Sequence, residues 1–225
     1  AFDYIRDFGC KGTSIYSGAC IPFAKQPVYN ESNRISYFGN LQLNRNKSLA
    51  QIGKSLDSIN EKFNTSYVLN IYTGDLEKEF LSVFDGIKSI HINEFVNSEE
   101  MFRLMQKSVM LVHTESFYED DIERVRYSIS TKIADSLASG ICLFAYASEK
   151  TASMKHLLAH QCAATAIKQE ELEPALWDIL SNPDKRTVIA KQALKVAETY
   201  HSKSGQSEHL KYVLRKCMKE NNPNI

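Results

Sequence analysis

The chain has 225 residues, 43% of them apolar, with 27 basic and 27 acidic side chains that leave no net formal charge. That length builds one large domain or two small ones, and no basic block suggests nucleic acid as a main partner, which needs Lys and Arg clustered on one face. The longest apolar runs, 109–113 and 141–147, are far too short to cross a bilayer, and no signal-peptide pattern is visible.

Short apolar runs alternate with segments of helical period along most of the length. Residues 13–16 read as a lone strand, with Gly18, Pro22 and Pro27 behind it as a linker. The spacing then predicts a strand over 34–38 and an amphipathic helix over 47–63, with Leu49, Ile52, Leu56 and Ile59 on one face. A strand over 67–72, a helix over 76–84 and a strand over 89–95 follow. Residues 98–106 form a helix with Ser98 as N-cap and two glutamates in its first turn. After a strand over 109–114 comes a charged excursion, 117–127, read as a solvated loop or a mobile flap. The chain continues as helix 131–139, strand 141–147, helix 151–160, strand 162–167 and helix 170–180. Two helices, 183–201 and 206–219, close the pattern, the last expected to dock on the body through Leu210, Val213, Leu214 and Cys217.

Such alternation argues an α/β fold, a Rossmann-like parallel sheet with helices on both faces and two C-terminal helices. The expected division is 1–30 as the end of another domain plus a linker, 31–182 as the Rossmann-like domain and 183–225 as packing helices. The chain starts with Ala1 rather than Met, so it reads as processed or as a piece of a longer protein. Cys10, Cys20, Cys142, Cys162 and Cys217 lack CxxC spacing, which argues against zinc or a disulfide framework and for a reducing cytosol.

In open parallel sheets ligands sit beyond the C-terminal ends of the strands. There the chain places Ser128, Ser130, Thr131 and Lys132 where a helix begins, and a helix N-terminus holds phosphate through unpaired N–H groups and partial positive charge. Asp135 lies on the face of Thr131, placed to accept hydrogen bonds from ribose hydroxyls. Arg45 and Lys47 stand after the first strand, and a diphosphate fits between them and Lys132. Gly39 and Asn40 end that strand, where a glycine lets a ligand approach the backbone closely. Glu115 leaves a strand end toward the same cleft. His113 reads as a hydrogen-bonded structural histidine. The histidines show no ligand spacing, so no metal is expected.

The segments Ile35-Ser36-Tyr37-Phe38-Gly39-Asn40-Leu41 and Asn44-Arg45-Asn46-Lys47-Ser48-Leu49, then Val112-His113-Thr114-Glu115-Ser116-Phe117 and the run 128–146, resemble the C-terminal, donor-binding domain of GT-B glycosyltransferases. The likeness is to the retaining group of glycosyltransferase family 4, and Tyr200-His201-Ser202 is similar to its tail. That resemblance spans about residues 13 to 215. It implies transfer of a hexosyl group from a nucleotide-diphospho-sugar, with retention, to a glycan or lipid-linked acceptor bound by an N-terminal domain. It implies no metal, phosphate contacts from Gly39, Asn40, Arg45, Lys47, Ser130, Thr131 and Lys132, and ribose held by Asp135. Arg45 and Lys132 would carry the leaving-group charge. Of the family's two glutamates eight positions apart, the second falls on Asp135 and the first on Tyr127, so Glu115 or an acid of 119–123 is the candidate for the sugar. A cytoplasmic enzyme, with peripheral contact at the inner membrane face, is the implied setting. Two other readings stay open: a nucleotide-sugar epimerase of the same fold, and a non-catalytic nucleotide-binding module. A dinucleotide oxidoreductase or P-loop NTPase is disfavoured, because the chain has neither GxGxxG after a strand nor GxxxxGK[ST].

Overall fold

The computed structural model describes residues 13–221; residues 1–12, with Cys10, and 222–225 lie outside the described residues. Strands β1 (Arg34–Phe38), β2 (Val68–Thr73), β3 (Ile90–Glu94), β4 (Met110–Thr114), β5 (Leu143–Tyr146) and β6 (Ala164–Ala166) form one parallel sheet in the order β3-β2-β1-β4-β5-β6. Between and after them run α1 (Arg45–Phe63), α2 (Lys78–Leu81) with a 3-10 turn at Ser82–Phe84, α3 (Ser98–Gln106), α4 (Glu119–Val125), α5 (Thr131–Ala138), α6 (Ala152–His160), α7 (Gln169–Leu180), α8 (Pro183–Tyr200) and α9 (Lys203–Asn221).

The expected α/β sheet with helices on both faces is the fold observed. On one face α1 buries Leu49, Ile52, Leu56 and Ile59, and these meet Leu172 and Leu176 of α7 over Ile35, Ile71 and Val112. On the other, Ile133 and Leu137 of α5, Met154 and Leu157 of α6 and Ala193 of α8 cover Leu111 and Leu143. Each buried aliphatic side chain contributes about 1.5–3 kcal/mol over its exposed state. The strand order reverses direction between β1 and β4, and that switch opens a crevice at their C-terminal ends.

Four local expectations change. Residues 13–16 form no ladder: Thr13 Oγ1 lies 3.0 Å from His209 Nε2, and the residues that follow also bond toward the C-terminal helices. Tyr16 N–H donates to Gln206 Oε1 at 2.9 Å and Ala19 N–H to the His201 carbonyl at 2.8 Å. The stretch 117–127 is not a loop: it contains α4, whose Ile122 is buried and whose Asp121 accepts from Asn44 Nδ2 at 2.7 Å. In α3 the N-cap is Asn97, accepting from Glu100 N–H at 2.9 Å, one residue before Ser98. The apolar face expected to dock α9 stays open, with Leu210 43% and Leu214 55% exposed.

Residues 13–28 form a strap across α5 and α8, with Ala19 and Ile21 buried in the second core. Val28 N–H donates to the Gly140 carbonyl at 2.8 Å and Ala24 N–H to that of Ala138 at 2.9 Å. Gly140 has φ +77°, and a Cβ there would meet Ala24 Cβ at 2.8 Å and the Gln26 carbonyl at 2.9 Å. Only glycine meets both demands cheaply. Cys142 and Cys162 are buried free thiols, and burial pushes both up to about 12.

Candidate functional site

The crevice between β1 and β4 is a cleft of about 270 Å³ lined by Asn40 and Arg45 after β1, His113 and Glu115 at the end of β4, and Ser128, Ser130, Thr131, Lys132 and Asp135 of α5 and its approach. The structure thus brings together most of the residues singled out from the sequence.

One end of the cleft is cationic. Helix α5 opens at Ser130, whose own N–H donates to Ser153 Oγ at 3.2 Å. The next two N–H groups, of Thr131 and Lys132, have no partner among the described residues. Arg45, the first residue of α1, donates from Nη1 to Asn40 Oδ1 at 2.8 Å and to the Gln42 carbonyl at 3.2 Å, which fixes its guanidinium against the loop. Just before it, Leu43 and Asn44 both adopt positive φ, 53° and 52°. A left-handed leucine is strained backbone, held because the Leu41 N–H is tied to Asp75 Oδ2 at 2.6 Å and Asn44 to α4. Protein packed around the Lys132 ammonium, followed by the Arg45 charge, holds its pKa below the ordinary lysine range. An anion seated between two such cations relieves their repulsion.

At the other end stands a carboxylate. Glu115 is 2% exposed; its Oε1 accepts from Ser153 Oγ at 3.0 Å and lies 3.5 Å from His113 Nε2. Burial works to raise its pKa, but His113 and the Ser153 and Thr151 hydroxyls outweigh that and leave it below the usual carboxylate range. Glu115 Oε2 and His113 Nε2 are buried without a hydrogen-bond partner among the described residues.

Asp135 lines the cleft, but its Oδ1 is engaged by the strap, accepting from Cys20 N–H at 2.6 Å and Ile21 N–H at 3.2 Å. Lys47 is not brought in: its ammonium lies 4.6 Å over the Tyr118 ring and lines a separate cavity of about 370 Å³ with Gln51 and Tyr146. Gly39 is required by Tyr37, whose hydroxyl would stand 2.5 Å from a Cβ at that position while donating to the Asn40 carbonyl at 2.7 Å.

Sequence reading missed an adjoining apolar cavity of about 260 Å³, lined by Phe38, Tyr72, Phe95 and Val96 and sharing Asn40 and Lys132 with the cleft and its rim. Phe38 and Tyr72 stack at 4.8 Å and 11°, and Phe95 is 76% exposed. The available signal was an aromatic residue within one position of the end of each of the first three strands. Among the described residues no group of three or more His, Cys, Asp or Glu is placed to hold a metal, and no helix is long and apolar enough to cross a membrane.

A doubly wound sheet of this kind is half of a GT-B glycosyltransferase fold, and solved structures agree on that fold. WaaG, a glycosyltransferase involved in lipopolysaccharide biosynthesis, superposes with a TM-score of 0.61 at 15% identity over 92% of this chain and 49% of its own. TarM of S. aureus, solved with UDP, gives 0.69 at 11% over 93% and 41%. Anabaena HepE, in complex with UDP-glucose, gives 0.62 at 12% over 83% and 49%. The chain spans about half the length of these proteins or less. A comparison with curated proteins returns no match. The chain belongs to the glycosyl transferase-like family, whose model matches residues 56–210, more than half of its length.

Proposed function

We propose that this chain is the donor-binding domain of a retaining glycosyltransferase that moves a hexosyl group from a nucleotide-diphospho-sugar to a glycan or lipid-linked acceptor. The observation that carries the reading is the polarity of one cleft: free helix N–H groups with Arg45 and Lys132 at one end, and an ionised, buried Glu115 at the other. Such a cleft suits an anion covalently joined to a polyhydroxylated group. A free anion has no use for the carboxylate, and a neutral sugar has none for the cations.

In this reading the diphosphate lies over Ser130, Thr131 and Lys132 and against Arg45 and Asn40. The base enters the aromatic cavity of Phe38, Tyr72 and Phe95, and the ribose meets the free oxygen of Asp135. The sugar reaches Glu115. During transfer the bond from the anomeric carbon to the diphosphate oxygen breaks. The acceptor oxygen bonds that carbon, and its proton leaves with the diphosphate. Arg45, Lys132 and the α5 N–H groups stabilise the charge growing on the leaving oxygen, so the reading needs no metal for that role. The acceptor site and the rest of the cleft belong to an N-terminal domain of the kind that completes a GT-B enzyme.

UDP complexes among the structural neighbours make uridine nucleotides the first probes. Calorimetric titration with UDP, GDP and ADP is expected to show saturable binding of one of them, weakened roughly tenfold or more by Lys132→Ala. Binding of none, or binding indifferent to Lys132, overturns the diphosphate reading.

A further inference from the structure

We propose that His113 and Glu115, braced by Ser153, form a hydroxyl-reading site that selects which sugar the cleft accepts; this rests on the donor-binding reading above. The chain has Tyr127 where the resemblance drawn from its sequence would place the sugar-side glutamate. Something else must read the sugar, and the cleft holds one suitable group.

His113 and Glu115 are two residues apart at the end of β4, so both side chains leave the same face of the sheet. They are 6% and 2% exposed, and both line the cleft. Each carries a buried polar atom without a partner, Nε2 and Oε2. Their mutual approach of 3.5 Å is too long for a hydrogen bond. A native fold rarely leaves such atoms unpaired, since each costs most of a lost hydrogen bond. Phosphate is the wrong partner, because Glu115 is ionised and would repel it. A hydroxyl matches both in kind once the side chains turn to meet it, donating its hydrogen to Glu115 Oε2 and accepting from a His113 Nε2–H.

Ser153 is the positioning residue. Fully buried, its Oγ donates to Glu115 Oε1 and accepts from Ser130 N–H at the mouth of α5. The carboxylate is therefore tied to the helix end that holds the anion. A ligand must present its hydroxyl and its phosphate at one fixed separation, and a sugar with that hydroxyl missing or inverted leaves both buried atoms unpaired.

The test compares, on this chain, each nucleoside diphosphate with its sugar conjugate: UDP with UDP-glucose and UDP-galactose, GDP with GDP-mannose, ADP with ADP-glucose. One conjugate is expected to bind roughly tenfold tighter than its parent. Glu115→Gln and His113→Ala should erase that increment, read on each variant as the ratio of conjugate to parent affinity so that any change in diphosphate binding itself cancels. Ser153→Ala should reduce the increment without loss of the folded state by circular dichroism, a split that a purely structural serine would not produce. An increment that survives Glu115→Gln and His113→Ala, or no increment in the unaltered chain, overturns the proposal. If no nucleotide binds, the donor reading falls, and glucose 1-phosphate then tests the triad alone. Its binding, lost in Glu115→Gln, sustains the hydroxyl site, whereas no binding or indifference to that change overturns it.

Discussion

His156 and His201 face each other Nε2 to Nε2 at 3.1 Å, and the contact dictates both tautomers. His201 Nδ1 lies 2.9 Å from the Ser17 carbonyl, which only accepts, so Nδ1 carries the hydrogen and Nε2 is bare. The hydrogen between the rings therefore belongs to His156. A proton added to His201 must go to Nε2 and sets two N–H groups against each other, whereas one added to His156 goes to Nδ1 and puts a charge into the buried pair. The pair joins the strap to α6 and to the end of α8.

Acid should loosen that joint. Burial, then the neighbouring charges of His201 and His160, lowers His156 from 6.5 to about 4; His201 is lowered too, by burial, with its Ser17 hydrogen bond opposing. The rings of Tyr16 and Tyr200 complete the surroundings. Both histidines stay neutral when folded and charge when unfolded, so the unfolded chain binds more protons below about pH 6.5. The stability they support is complete above 6.5 and falls as pH drops toward 4. Urea unfolding between pH 7 and 4.5 should show this slope, and His156→Gln should remove about one proton from it. An unchanged slope in that variant would refute the assignment.

Asp135→Ala should free the strap. It removes the acceptor for Cys20 and Ile21 N–H, and amide hydrogen exchange at these two residues should accelerate, with a stability loss of about 1 kcal/mol. Exchange no faster than in the unaltered chain would mean that the strap is held by its other bonds alone.

Gly140→Ala should cost about 1–3 kcal/mol by thermal or chemical unfolding, since the position combines φ +77° with two sub-3 Å approaches from the strap. Gly74→Ala, where a Cβ meets nothing within 4 Å and φ is ordinary, is the matched control and should stay within about 0.5 kcal/mol.

Lys47→Ala should leave nucleotide affinity within about twofold, because its ammonium lies over Tyr118 outside the cleft. A tenfold loss would show that the loop before α1 rearranges on binding.

Much of the fold was legible because its signals are local. The stripe Leu49, Ile52, Leu56 and Ile59 marks the buried face of α1 by spacing alone, and the alternation of short apolar runs with helical segments already implies a parallel sheet. The α5 side of the cleft was legible for the same reason, being one helix start with its hydroxyls, cation and carboxylate close in sequence. The stretch 117–127 failed this test: its charge pattern reads as solvent-facing, and only the burial of Ile122 and the Asn44–Asp121 bond across 77 residues makes it helical.

Sequence by itself therefore determined the class of fold, the edges of the cleft and the place of Lys132 at the start of α5, since each follows from periodicity or from neighbours along the chain. Tertiary structure alone decided which charges share a space. It set Lys47 over Tyr118 and Arg45 in the cleft, though two positions separate them, because successive residues at the start of a helix point in different directions. It gave Asp135 to the strap, and it buried Glu115 beside His113 and Ser153. These contacts join residues up to 115 positions apart, and no local pattern encodes them.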